Sequence, residues 1–253
     1  MIIKTEEELN GIKRVSEAVA ITLREMKKYA QIGITTKELD QYGKKLLEQL
    51  GAKSAPHETY NFPGYCCISV NEAFAHGVPS DSVILRNGDI VNIDVSAELN
   101  GFWSDNGCSF ILGDDIKGLQ ILVDSSREIL LEAISKISGG VRIADIGKLI
   151  ETKAKKAGYT VIRDLGGHGV GRSLHEEPDA IMNYYDRSDL HRRFRKNSVV
   201  AIETFISTKS TNIRTESDGW TFTGSKGGFV AQHEHTLLVT GGRPVILTSA
   251  NEI

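Results

Sequence analysis

Asn92-Ile93-Asp94-Val95-Ser96-Ala97-Glu98-Leu99-Asn100-Gly101-Phe102-Trp103-Ser104-Asp105 is a stretch of two alternating runs joined by Asn-Gly. Asn100-Gly101 is the strongest short hairpin signal, because a type I′ turn needs two residues that tolerate positive φ. A two-residue loop sets Leu99 opposite Phe102 and so Ser96 opposite Asp105. Asp94, one pleat along, projects from the same side of the ladder as both. The two carboxylates are then diagonal neighbours, with Cβ atoms roughly 7 Å apart at most. On a strand built from Ile90, Val91, Ile93 and Val95 such a pair is poorly solvated, and a divalent cation is the usual remedy. On this segment alone a second reading stands beside the metal clamp, with one Asp solvated at a sheet edge and the other capping a turn.

At 253 residues, 40% hydrophobic and 25% charged, the chain can bury a sizeable core and fits one large α/β domain or two small ones. The net charge of −3 and pI near 6.2 leave no basic footprint, and no Lys/Arg run stands out, so no nucleic-acid partner is expected. Met1-Ile2-Ile3-Lys4 turns at once into Glu6-Glu7-Glu8. That leaves no apolar signal region, and no later stretch reaches the ~18 apolar residues of a membrane span. The expectation is a soluble cytoplasmic protein with no membrane partner. Cys66, Cys67 and Cys108 are odd in number and make no Cys-x-x-Cys pair, which argues against a disulfide framework or a zinc knuckle. They read as reduced thiols in apolar places.

Thr5-x-x-Glu8 is a capping-box start, and Leu9, Ile12, Val15, Val19, Leu23 and Met26 follow at helical spacing to about Ala30. A second helix begins at Thr35 or Thr36, carries Leu39, Leu46, Leu47 and Leu50, and stops at Gly51. The pair returns after the hairpin: Leu119 to Ile137 is apolar at helical spacing, and Gly140-Val141-Arg142-Ile143-Ala144-Asp145 running to Gly158 repeats Gly33 to Gly51 at an offset of 107. The strand Asn87 to Val95 likewise matches Lys196 to Thr204 at an offset of 109, which lays Asp94 on Glu203. His76-x-x-Pro79 and His175-x-x-Pro178 form a third pair. Three matches in one order point to two related halves, about 5–110 and 115–240, of a single catalytic domain spanning 1–253. Two such halves would join their strands into one curved antiparallel sheet with helices on one face, an α+β layout, and equivalent carboxylates would meet near the axis.

Two further clusters carry chemistry. Gly166-Gly167-His168-Gly169-Val170-Gly171 surrounds one histidine with four glycines, which lets backbone approach closely, and His175 follows seven residues later. Neutral imidazole is the commonest metal ligand, although a lone His in a glycine loop is more often structural. Ala231-Gln232-His233-Glu234-His235-Thr236-Leu237-Leu238-Val239 reads as a strand with Gln232 and Glu234 on one face and the histidines on the other. Its apolar end argues for burial, which makes Glu234 costly unless paired or ligated. Four carboxylates with one or more histidines suit two cations. Oxygen donors with one imidazole favour Mn, Fe or Co over a thiolate-type zinc site, and two ions ~3.5–4 Å apart can activate a water between them. The residues thus describe a dinuclear metallohydrolase.

Asp94, Asp105, His168, Glu203 and Glu234, in that order and inside these strings, resemble the type I methionine aminopeptidases. Asn71-Glu72 through His76-Gly77-Val78-Pro79, Gly88 to Asp94, Gly167 to Gly171 with His175-Glu176-Glu177-Pro178, Asp218-Gly219-Trp220 and Gln232 to Thr236 carry the likeness. The short stretch from Gly171 to Lys196 has no room for the helical insertion of the type II enzymes. The resemblance implies the pita-bread fold of peptidase family M24 and removal of N-terminal methionine from nascent chains when the next residue is small. It implies two divalent ions (Co, Mn, Fe or Zn), bridged by Asp105 and Glu234, with Asp94 on one and His168 and Glu203 on the other. Water activated there attacks the peptide carbonyl, with Glu203 as proton shuttle, His76 beside substrate and attacking oxygen, and His175 on the scissile carbonyl oxygen. Phe62, Cys67 and Trp220 match positions lining the methionine pocket. The implied protein is a monomer that meets nascent polypeptide N-termini at the ribosome. Four positions depart from the family's usual pattern: Thr59, Asn106, Leu174 and Thr204. They leave every ligand in place and suggest a diverged copy with altered pocket shape and turnover. A prolidase-like or X-Pro enzyme shares fold and ligands, but its usual large N-terminal domain has no room ahead of residue 5. A metal-free binding protein of this fold is the remaining alternative.

Overall fold

Five helices and a ten-stranded antiparallel sheet organise the computed structural model, which describes residues 1–253. The helices are α1 (Glu6–Tyr29), α2 (Thr36–Gln49), α3 (Ala55–Tyr60), α4 (Gln120–Ser135) and α5 (Ile143–Lys156). The longer strands are β1 (Cys67–Val70), β2 (Asp89–Leu99), β3 (Phe102–Leu112), β4 (Gly166–Gly169), β5 (Glu176–Met182), β6 (Val199–Ser207) and β7 (Val230–Leu238). Across the sheet the order is β2, β3, β7, β6, β4, β5, with β1 on the free edge of β2. Ala73–Ala75, Ile213–Thr215 and Phe222–Gly224 form a second, three-stranded sheet.

Local chemistry sets the boundaries. Thr5 and Thr35 both close capping boxes, with Glu8 and Glu38 reaching back to the cap backbone. α4 starts at Leu119, which has no capping side chain; the Asp115 carboxylate instead accepts the amides of Leu119 and Gln120 at 2.7 and 3.1 Å. Asn100 and Gly101 adopt φ of 53° and 80°, and Leu99 faces Phe102, so the hairpin has the expected two-residue register. Alternation then divides each strand. Val91, Ile93, Val95 and Ala97 of β2 join Ile12, Val15, Val19 and Leu23 of α1 in one core, while Val200, Ile202 and Ile206 of β6 join Leu122, Ile129 and Leu130 of α4 in another. At about 1.5–3 kcal/mol for each fully buried aliphatic side chain, these two clusters hold the helices on one face. Asp94, Asp105, Glu203 and Glu234 alternate out of them onto the other.

Corresponding strands keep corresponding registers. Ser69 pairs with Asn92 and Val70 with Val91. At 99 residues beyond β1 and 109 beyond β2, His168 pairs with Ala201 and Gly169 with Val200. The inner ladders differ: Asp105 faces Ser96 and lies diagonal to Asp94, whereas Glu234 faces Glu203 directly. Between β3 and β7 only His233 and Cys108 pair in the ladder. Side chains tie the rest of that seam. Thr236 Oγ1 accepts from the Asp105 amide at 3.0 Å and donates to its carbonyl at 2.7 Å, and Ser109 Oγ does the same for Gln232 at 2.9 and 3.0 Å.

Gly11 of α1 lies against the Phe102 ring, and a Cβ built there would sit 2.3 Å from Phe102 Cε2. The Arg172 guanidinium stacks over that ring at 4.3 Å, so the ring yields only if Arg172 moves with it. Gly11→Ala gains about 1 kcal/mol of helix propensity but overpacks at a cost of about 1–3 kcal/mol. Urea denaturation is expected to show a net loss of up to about 2 kcal/mol in place of the gain of about 1 kcal/mol that propensity alone gives.

Candidate metal centre

The five sequence-predicted ligands come together at the middle of the sheet, on the face turned away from α1 and α4. Asp94 is on β2, Asp105 on β3, Glu234 on β7 and Glu203 on β6; His168 reaches in from β4. One ligand atom from each of Asp105, His168 and Glu234 lies within 4.8 Å of the others, and His168 Nε2 is 3.8 Å from Asp105 Oδ2. Asp94 and Glu203 stand on either side and line the same cavity of about 270 Å³. Gln232 Nε2 donates to Glu203 Oε2 at 3.2 Å and to Glu234 Oε2 at 3.1 Å. Its own Oε1 is held by Asn92 Nδ2 at 2.7 Å, so the amide cannot turn over.

The electrostatics call for a cation. No lysine or arginine lines the cavity, which holds Asp94, Asp105, Glu203 and Glu234 with two further acids, Asp164 and Asp179. Burial pushes the four central carboxyls above the usual range, and the charge of Asp105 raises Asp94, Glu203 and Glu234 further. Asp105 Oδ1 and Glu234 Oε1 are buried without any hydrogen-bond partner, the state of an oxygen that a metal would claim. His168 Nδ1 lies 3.0 Å from the Gly169 carbonyl, so it is the protonated nitrogen and Nε2 keeps its lone pair toward Asp105. Burial lowers the His168 pKa to about 3, which keeps the imidazole neutral. The donor set, oxygen-rich with one neutral imidazole, fits divalent ions of the Mn, Fe or Co kind.

The remaining predicted residues form the walls. His76 and His175 face the cavity with Phe62, Cys67 and Trp220. Phe62 and Trp220 meet edge to face with centroids 5.3 Å apart, an apolar corner with the buried Cys67 thiol beside it. His76 holds a φ of 51°, strained for a non-glycine residue, and its ring lies 4.7 Å from Phe222. Burial, with the nearby His175 charge, lowers its pKa to about 4. Of the four departing positions only Leu174 lines the cavity. Thr204 and Asn106 point to the helix side, where Thr204 Oγ1 bonds Ser126 Oγ at 2.9 Å and Asn106 bonds the Val95 carbonyl and Asn251 at 3.0 Å each. The altered pocket shape expected from those two is therefore not seen. Sequence reasoning missed Tyr60, Leu165, Met182 and Phe205 in the walls and the double donation by Gln232. The alternation that set Gln232 beside Glu234 on one face was the available signal for the last.

The sequence model of metallopeptidase family M24 matches residues 10–241. Methionine aminopeptidase 2 of Bacillus subtilis (strain 168) is 46% identical over 248 residues, covering 98% of this chain and 99% of that protein. The crystal structure of methionine aminopeptidase from Thermotoga maritima is similar with a TM-score of 0.91 at 35% identity, over 98% of this chain and 99% of that one. Prolidase from Pyrococcus furiosus, at a TM-score of 0.77 and 23% identity, shares the fold over 98% of this chain and 65% of its own.

Raised carboxyl pKa values fix a pH dependence. Above the ordinary carboxylate range the folded metal-free protein retains protons that the unfolded chain has released, so its stability falls as pH rises. The buried histidines have the opposite slope, but only below about 6.5, where the unfolded imidazoles titrate. The Met1 ammonium, lowered to about 6 by burial, is a single opposing group. A chelator-treated sample is expected to lose melting temperature from about pH 7 to 8.5, with a shallower loss in Glu234→Gln. Differential scanning calorimetry reads both.

Proposed function

The chain belongs to metallopeptidase family M24, among its methionine aminopeptidases, and on that basis we propose that it removes N-terminal methionine from polypeptides whose second residue is small. Its architecture is the α+β, pita-bread arrangement expected from the sequence. The observation that carries the proposal is one cavity that joins a carboxylate cluster without a lysine or arginine to an apolar corner of Phe62, Trp220 and Cys67. Residues 1–253 act as one catalytic domain of two related halves, a reading supported by the shared registers of β1 on β2 and β4 on β6.

Asp105 and Glu234 would bridge two divalent ions, Asp94 would complete one position, and His168 and Glu203 the other. When bound, such ions lower the pKa of a water and stabilise negative charge on a carbonyl oxygen. The chain's own groups do the rest. Phe62, Cys67 and Trp220 take the methionine side chain, whose soft sulfur suits aromatic walls. His76 lies beside the substrate. His175 donates to the carbonyl oxygen of the bond being cut, where negative charge develops. Glu203 takes the proton of the attacking water and passes it to the leaving amine. The substrates are nascent polypeptide N-termini, met in the cytoplasm at the ribosome by a monomer; light scattering coupled to gel filtration tests the last. No helix of the chain is long and apolar enough to cross a membrane.

Methionine release from Met-Ala-Ser tests the function. Exhaustive chelation is expected to abolish it and Mn(II), Co(II) or Fe(II) to restore it, whereas unchanged activity after chelation refutes the metal assignment. Cleavage of Ala-Pro instead of Met-Ala-Ser would favour the X-Pro reading. Asp105→Ala and Glu234→Ala are expected to lose both ions by elemental analysis, while His175→Ala keeps metal and loses about 10²-fold or more in kcat. Met-Ile peptides should resist cleavage, because the β-branched side chain restricts passage beside His76. The same rule retains Met1 ahead of Ile2, which intact mass reads.

A further inference from the structure

Tyr60 closes α3 at the cavity mouth, and its Oη lies 2.7 Å from Nδ1 of His175, which belongs to the loop between β4 and β5. This is the one side-chain hydrogen bond that His175 makes, and Nε2, the other ring nitrogen, has no partner within the protein. The His175 ring is held from a second side by His168, centroid to centroid 4.1 Å. Tyr60 itself is 44% exposed, so burial alone does not fix its ring in that position. Its place is set by the backbone. Ser54 Oγ accepts the His57 amide at 3.3 Å and donates to the Tyr65 carbonyl at 2.6 Å, and His57 Nδ1 meets the Phe62 carbonyl at 3.1 Å. Asn61, in the left-handed region with φ 56°, ends the helix immediately after Tyr60. The segment from 54 to 65 therefore presents one phenol to one imidazole across the opening.

We propose that Tyr60 is a positioning residue for the peptidase reaction, donating its phenolic proton to His175 Nδ1 and so fixing the tautomer that carries hydrogen on Nε2. A neutral imidazole donates from one nitrogen only. With Nδ1 committed as acceptor, Nε2–H is the donor that the cavity side offers to the carbonyl oxygen, already aimed before substrate arrives. The phenol is a dependable donor, since burial and the Asp105 charge hold its pKa above the ordinary value. Without Tyr60 the ring divides between two tautomers and two orientations, and only one of these can donate into the site. This role rests on the assignment of His175 to the scissile carbonyl.

The test is Tyr60→Phe, which keeps the ring and removes the proton. In histidine labelled with ¹⁵N and loaded with diamagnetic Zn(II), long-range proton–nitrogen spectra of the wild type should show His175 protonated on Nε2, and the variant should show a mixture. On Met-Ala-Ser the variant is expected to lose about tenfold in kcat, part of the 10²–10³ attached to a whole oxyanion donor, with KM within about twofold and metal content unchanged. Added to His175→Ala, Tyr60→Phe should have no further effect. Wild-type His175 protonated on Nδ1, wild-type kcat in Tyr60→Phe, or an additive loss in the double variant overturns the proposal. The tautomer is read without turnover. Failure of the peptidase reading therefore shows as an inactive wild type, and failure of this role as an active enzyme indifferent to Tyr60.

Discussion

Four carboxylates share one buried space that no lysine or arginine lines, and the rest of the architecture exists around that constraint. In a low-dielectric pocket, like charges at this spacing cannot all ionise; they retain protons or they bind a cation. The histidines give no relief. Burial lowers His76 to about 4 and His168 to about 3 and lowers His175 as well, so all three stand neutral. Positive charge must therefore come from outside the chain.

Such a cluster needs a rigid frame, and the frame is weakest where it matters most. β3 and β7 carry Asp105 and Glu234 side by side, yet they share one ladder pair. Thr236 and Ser109 replace the missing ladder by binding both backbone groups of the facing residue. Gln232 extends the tie to the side chains. Locked by Asn92, its amide leaves Glu203 and Glu234 one free oxygen each to direct into the cavity. A β-ladder alone would fix Cα positions; the Gln232 amide also holds the carboxylates of Glu203 and Glu234, which is the precision that a metal centre requires.

How much of this was legible in the sequence follows from the range of the interactions. The hairpin register came from two residues with positive φ, a purely local property, and with it the diagonal placement of Asp94 and Asp105. The helix starts at Thr5 and Thr35 were equally local. The α4 start was read at Leu119 from its apolar spacing, whereas its capping group was not, because Asp115 lies ahead of the cap position and outside the usual capping pattern. The repeat at offsets of 107 and 109 located Glu203 opposite Asp94 in function, since equivalent residues in equivalent strands face the same way. It could not show that Glu234 faces Glu203 directly, because the inner ladders depart from the repeat. Pleat parity does set Thr204 and Asn106 opposite Glu203 and Asp105, on the helix side, but it could not show their partners Ser126 and Asn251, which lie far away in sequence. Tyr60 was invisible for the same reason, its partner being 115 residues on.

The cavity joins two environments that would each be unremarkable alone. One half is ionic, built by strands whose alternation sends every second side chain away from the cores. The other is apolar and comes from irregular segments: Phe62 from the turn after α3 and Trp220 from the turn that Asp218 closes by accepting the Trp220 and Thr221 amides at 2.8 Å. The strands cannot move without breaking the cores, whereas the turns can vary while the ligands stay put. The departure at Leu174 falls in the second set, Thr59 lies on α3 outside the cavity, and Thr204 and Asn106 are absorbed behind the sheet, so the chemistry of the centre is insulated from the positions where this chain differs. Selectivity for the side chain and competence for the reaction are thus carried by different physical layers. Tyr60 and His175 are where the two layers touch.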